Sequence, residues 1–250
     1  MGEGGQDLGR ESGRVTSPSG ALRLLSGGAA KGLVEALAAA IADATGAGVD
    51  GTFGAVGAMR ERLVAGDACD VVILTAALVA ELTASGHLVE GSSAPLGGVQ
   101  TGIAVRAGDP LPAIADGASL AAALCAARAI HYPDPVRATA GIHFDGVLNR
   151  LGIHATVAPR LRTWPSGTIA MRELARAAEP QAIGCTQVTE IVANGDVSLV
   201  GVLPPPYGLA TVYVAAVSTR AAEPGRAMRL VEFLTGGASA SARSAAGFET

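Results

Sequence analysis

The chain has 250 residues, 49% of them hydrophobic but only 3% aromatic, and a formal net charge of −4. That length supports one large domain or two lobes with Ala, Val, Leu and Ile cores. The acidic balance and the lack of any basic run exclude an ordinary nucleic-acid surface. No stretch is apolar enough to span a membrane, and Cys69, Cys125 and Cys185 lack the spacing of a zinc site.

Residues 1–20, rich in Gly, Ser and charge with no apolar run, read as a disordered tail and not as a secretory signal. Residues 22–25 form a short apolar strand that runs into Ser26-Gly27-Gly28 and an amphipathic helix with Ala30, Leu33, Val34, Leu37 and Ile41 on one face. A second strand ends at Phe53, Gly54-Ala55-Val56-Gly57 opens a second helix, and residues 70–74 are a third strand. A helix over 76–85 ends at Gly86. Strands at 102–106, 129–132, 156–160, 182–186, 197–202 and 210–218 are then expected, with helices at 119–127, 140–151, 168–177, 224–234 and 239–246.

This alternation predicts α/β architecture, with mostly parallel sheets flanked by helices. Residues 98–106 and the Pro204-Pro205-Pro206 segment read as crossings. They give lobe one as 21–100 plus 208–250, lobe two as 101–207, and a ligand cleft between them. A strand repeatedly delivers the chain through a Gly-rich turn to a helix N-terminus, where unpaired N–H groups and the helix dipole favour an anion.

The order of Thr45-Gly46, Phe53 to Met59, Gly66-Asp67-Ala68-Cys69-Asp70-Val71, Tyr132-Pro133-Asp134-Pro135, Thr139-Ala140-Gly141-Ile142 and Ile183-Gly184-Cys185 resembles the molybdate-binding-protein family. That resemblance covers nearly all of 21–250 and implies the two-lobed type II periplasmic-binding-protein-like fold. Three places where the family carries an oxyanion-binding hydroxyl fall here at Ala29, Val56 and Gln187. The resemblance therefore implies the fold, while the substitutions argue for a different ligand.

The candidate ligand-binding residues follow these turns. Ser26, Gly27 and Gly28 allow close backbone approach, which favours ligand contact over an ordinary N-cap and tight turn. Val56 and Gly57 offer backbone N–H groups only. Thr139 and Ala140 open a helix, with Thr139 also suited to an N-cap role, and Ser166, Gly167 and Thr168 open another. Thr186 and Gln187 follow an apolar strand, Gln187 at the position of the family's tyrosine. Glu190 and His143 are the candidate proton carriers. Against these roles stand charge compensation at a helix N-terminus for Glu190 and a simple surface position for His143.

Two functions remain open. One is a cytoplasmic small-carboxylate-binding isomerase, like the aconitate-isomerase-like branch of the family, moving a proton beside a carboxylate. The other is a non-catalytic anion-binding protein, either a soluble sensor or the receptor of a molybdate-type ABC importer, whose partner would be the permease. Neither needs a cofactor or metal, a nucleic acid or a membrane; both need a small anionic ligand.

Overall fold

The computed structural model describes residues 20–249, so the tail expected over 1–20 lies, Gly20 apart, outside the described residues. The chain opens with β1 (Leu22–Gly27), a short 3-10 turn, α1 (Lys31–Ala36), α2 (Ala38–Thr45), β2 (Val49–Gly54), α3 (Val56–Ala65), β3 (Val71–Thr75) and α4 (Ala76–Ala84). A 13-residue strand, β4 (Ala94–Arg106), follows. Then come α5 (Gly117–Ala126), β5 (Ile130–Pro133), α6 (Thr139–Arg150), α7 (His154–Val157), β6 (Leu161–Trp164), α8 (Gly167–Ala175), β7 (Ile183–Gln187), α9 (Val188–Val192) and β8 (Val197–Val202). The chain finishes with β9 (Ala210–Val217), α10 (Pro224–Thr235) and α11 (Ala240–Ala245). None of these helices is long and apolar enough to cross a membrane.

Strand order is β2-β1-β3-β9-β4-β7-β5-β6, with β8 also paired to β4. Parallel pairing holds within each half: β1 with β2 and β3, and β5 with β6 and β7. The pairs that β4 and β9 make are antiparallel, because these strands carry the chain from one half to the other and back. The first part of β4, from Ala94 to Gln100, pairs with β9, and the part from Thr101 onward pairs with β7 and β8. One continuous strand thus belongs to both halves of a mixed, helix-flanked sheet.

Each half buries its own apolar cluster. Leu24, Leu33, Ile73 and Leu230 sit in the first, and Ile103, Tyr132, Phe144 and Cys185 in the second. A smaller group under α8 includes Met171 and Leu174. Two expectations differ in detail. The first helix is divided at Leu37, whose φ of −95° and ψ of 7° leave the α path. The strand expected over 156–160 lies instead at Leu161–Trp164, because 154–160 coils helically through Pro159, which has no N–H to give a ladder.

At the base of the first half, the buried Asp70 carboxylate accepts from the Arg23 backbone N–H at 2.8 Å, the Arg23 guanidinium at 2.8 and 2.9 Å, and the Ala222 N–H at 2.8 Å. These bonds join β1, the entry to β3 and the approach to α10. Burial by itself would raise the Asp70 pKa; the Arg23 and Ala222 hydrogen bonds outweigh it and hold the group at about 2. A carboxylate depressed in the folded state stabilises above its unfolded pKa and loses that stability as pH falls through the folded value. Asp70→Asn should therefore cost roughly 2 kcal/mol in urea unfolding at neutral pH. The gap from wild type should close between about pH 4 and pH 2; a constant gap across that window would refute the assignment.

Candidate functional site

Three helices point their N-termini into one cleft, and they differ in how those termini are satisfied. The first is α3, from the first half of the molecule, whose N-cap Ala55 supplies no side-chain cap. The second is α6, from the other half, whose N-cap Ala138 supplies none either. Thr139, expected as a cap, is instead the first helical residue. The third, α8, is capped twice: the Ser166 hydroxyl accepts from the Ile169 N–H at 3.3 Å, and the Glu190 carboxylate accepts from the Thr168 N–H at 3.1 Å. Among the described residues no Lys, Arg or His lines the cleft.

Glu190 is the group that organises this cleft. It lies in the first turn of α9, yet its carboxylate turns away to serve α8. Oε1 accepts from the Thr168 N–H and from the Thr168 hydroxyl at 3.3 Å; Oε2 accepts from the Thr186 hydroxyl at 2.5 Å. Burial raises its pKa, and the Thr186 and Thr168 hydrogen bonds oppose that rise. Two glycines make room for the carboxylate. A Cβ at Gly167 would overlap Oε2 and the Thr186 hydroxyl, and a Cβ at Gly28 would overlap Oε1 from the other half of the molecule.

Tyr213, on β9, shares the cleft with Glu190. Its phenol is pushed up in pKa by burial and further by the Glu190 charge, with the Gln187 amide beside it. It is therefore an uncharged donor at any ordinary pH. Phe248 packs edge-on against the ring at 6.4 Å, and a Cβ at Gly27 would press on it at 3.0 Å.

The sequence-predicted residues divide into groups. Gly28, Val56, Thr139, Ala140, Ser166, Gly167, Gln187 and Glu190 line the cleft. Thr168 and Thr186 stand behind it and hold Glu190. Gln187 is committed to the framework: turned with its nitrogen toward β4, its amide donates to the Val99 and Gln100 carbonyls at 3.2 Å each. Ser26 is not brought to the cleft; it is fully buried in β1, and its hydroxyl donates to the Gly27 carbonyl at 2.9 Å. Gly27 lies against Val56 and Tyr213 and stays out of the cleft lining. Gly57 joins the two halves, its N–H donating to the Arg137 carbonyl at 3.2 Å. His143 faces away from the cleft, with Nε2 2.7 Å from the Tyr207 carbonyl, because the α6 turn carries it to the connecting segment before β9.

Tyr213 and Ala138 line the cleft without lying on any of the turns expected from the sequence, and Tyr213 brings a hydroxyl. A signal for it exists: β9 alternates outward and inward positions, and Thr211 and Tyr213 put hydroxyls at inward ones. Among the described residues no three His, Cys, Asp or Glu side chains gather as a metal ion would require.

The contact between Gly28 and Glu190 spans the cleft, so a side chain added there acts as a wedge. Gly28→Ala should destabilise the protein by roughly 1–3 kcal/mol. In a Glu190→Ala background the same change should cost much less, because the atom it strikes is gone. Additive costs in a double-mutant cycle would refute the contact.

The chain is similar to known proteins over nearly all of its described residues. The sequence profile of the bacterial extracellular solute-binding protein family matches residues 22–249. Aconitate isomerase from a Pseudomonas species is 26% identical over 229 residues, covering 88% of this chain and 84% of that protein. The periplasmic molybdate-binding protein of Azotobacter vinelandii superimposes with a TM-score of 0.74 at 20% identity, covering 92% of this chain and 99% of that one. The sulfate-binding protein SubI of Mycobacterium tuberculosis superimposes with a TM-score of 0.72 at 18% identity, over 92% and 86% of the two chains. Matched from end to end of its described fold, this chain belongs to the bacterial extracellular solute-binding protein family.

Proposed function

We propose that the protein binds a small unsaturated di- or tricarboxylic acid in this cleft and isomerises it by proton transfer, as the similarity to aconitate isomerase suggests. The observation that carries the reading is the buried Glu190 carboxylate among the cleft-lining residues. A receptor for a fully ionised anion gains nothing from a carboxylate beside its ligand, whereas a proton-transfer enzyme needs a base there, and burial raises the pKa of this one.

In this reading the open N–H groups of α3 and α6 bind the carboxylates of the acid. Glu190 takes a proton from a carbon beside the double bond. The C–H electron pair shifts toward the adjacent carboxyl, whose growing charge is met by those N–H groups and by the Tyr213 hydroxyl. Glu190 then returns a proton to the carbon at the far end of the allylic system, and the double bond has moved. The free thiols Cys69, Cys125 and Cys185 fit a site of action in a reducing compartment.

A second reading keeps the binding and drops the turnover: an anion-binding protein serving an importer or acting as a sensor. The family match and the molybdate- and sulfate-binding neighbours favour it.

NMR in D₂O with cis- and trans-aconitate separates the two. The enzyme reading expects isomerisation with solvent deuterium appearing at carbon. Glu190→Gln should then lose about 10²–10⁴-fold in rate while binding persists, and His143→Ala should keep full rate. Tight binding without isomerisation or exchange in the wild type would establish the receptor reading. Under the enzyme reading, molybdate should bind weakly if at all, since Ala29, Val56 and Gln187 offer no hydroxyl and Glu190 occupies the N-terminus of α8. Micromolar molybdate affinity by calorimetry would count against it.

A further inference from the structure

The cleft must attract an acid without the help of a cation. Its attractive elements are dipoles and neutral donors: the uncapped N-termini of α3 and α6, the Tyr213 hydroxyl, and the side chains of Thr139 and Ser166. Among the described residues no cationic side chain lines it, and its one formal charge is the Glu190 carboxylate. The N-terminus of α8 cannot serve the ligand as the other two can, because Glu190 already accepts its Thr168 N–H. A fully ionised acid arriving here would place a second negative charge beside a buried first one, with no cation in the lining to offset the pair. Two carboxylates in that position do not both stay ionised; they share a proton.

We infer that the cleft takes up its acid together with one proton from solvent, shared between Glu190 and the nearer carboxyl of the ligand. This rests on the carboxylate reading given above, but holds whether or not the bound acid turns over. Among the described residues, the surroundings of Glu190 contain nothing else to take that role. Thr186 of β7, Thr168 and Gly167 of α8, and Gly28 ahead of α1 are not titratable near neutrality, and Tyr213 of β9 stays a neutral phenol. The charged residues on elements packed against α9 pair elsewhere: Lys31 with Glu35 on α1, Arg172 with Glu173 on α8, and Arg106 of β4 with Asp109.

The shared proton also suits the chemistry. When it lies on the ligand, that carboxyl is neutral and withdraws electrons more strongly from the neighbouring C–H, while Glu190 is ionised and able to accept the carbon-bound proton. One proton from solvent thereby prepares both partners of the transfer.

The test is isothermal titration calorimetry of the full chain with succinate, fumarate, cis-aconitate and trans-aconitate from about pH 5 to pH 8, each in buffers of differing ionisation enthalpy. For wild type, the buffer dependence should reveal uptake approaching one proton per acid bound, and affinity should fall toward tenfold per pH unit where free Glu190 is ionised. Glu190→Gln keeps the shape and the acceptor for Thr168. It should lose that uptake, bind at least as tightly as wild type at the alkaline end, and show only the slope due to the acid's own titration. Binding by wild type without proton uptake beyond that of Glu190→Gln overturns the inference and leaves the carboxylate reading standing. If none of the four acids binds anywhere in the range, both fall together. Should Glu190→Gln fail to fold, the wild-type buffer series still decides: uptake beyond the acid's own titration supports the shared proton, and its absence overturns it.

Discussion

The Glu190 carboxylate is fixed by three hydrogen bonds to two threonines, and much of the surrounding sequence follows from accommodating it. A buried carboxylate must have donors, so β7 ends in Thr186 and Gln187 and α8 begins with Gly167-Thr168, which together bring a hydroxyl, an amide and a second hydroxyl to it. The same group forbids a Cβ at position 167 on its own side and at position 28 on the opposite side. Two glycines that look interchangeable with many others in a Gly-rich chain are thus set by one side chain. Its burial then fixes the electrostatics, since a charge without a cation is held only by dipoles and by a raised affinity for protons.

Much of the framework is legible from periodicity and turn residues. The strand–turn–helix units at Gly28, Val56, Thr139 and Gly167 are visible because an apolar run, a small residue and an amphipathic run recur in that order. What the sequence does not reveal is direction. Ser26 and Gly28 are two residues apart, and the pleat of β1 and the turn after it send one into the interior and the other to the cleft. His143 stands one turn into α6 and is carried round to the connecting segment at Tyr207, away from the terminus that faces the ligand site. In sequence Glu190 reads equally well as charge compensation for its own helix; it compensates a helix terminus, but that of α8, a relation only the tertiary fold defines.

Tyr213 illustrates how chemistry lost at one position returns from another. The resemblance sets Gln187 at the family's tyrosine, so on that reading a hydroxyl is missing position by position. In the fold, Gln187 spends its amide on the β4 carbonyls of Val99 and Gln100, and a phenol arrives beside it from β9, the antiparallel neighbour across the crossing. Comparing residues position by position hides such an exchange because the two residues lie on different strands, β7 and β9, which flank β4 on either side.

The two sides of the cleft are joined through β4. Because β4 pairs with β9 along its first part and with β7 and β8 along its second, and β9 carries the chain back, two adjacent strands of one sheet connect the halves. The residues that meet across the cleft come from both halves: Gly28 against Glu190 and Thr168, and the Gly57 N–H against the Arg137 carbonyl. The Gly57 bond uses one of the early amides of α3, so contact between the halves in part satisfies that helix terminus. The amides left open at α3 and α6 belong to opposite halves, and an acid that reaches both must bridge them. Affinity for such a ligand then depends on how closely the halves approach, and Glu190, in contact with the Gly28 position across the cleft, sits where they meet.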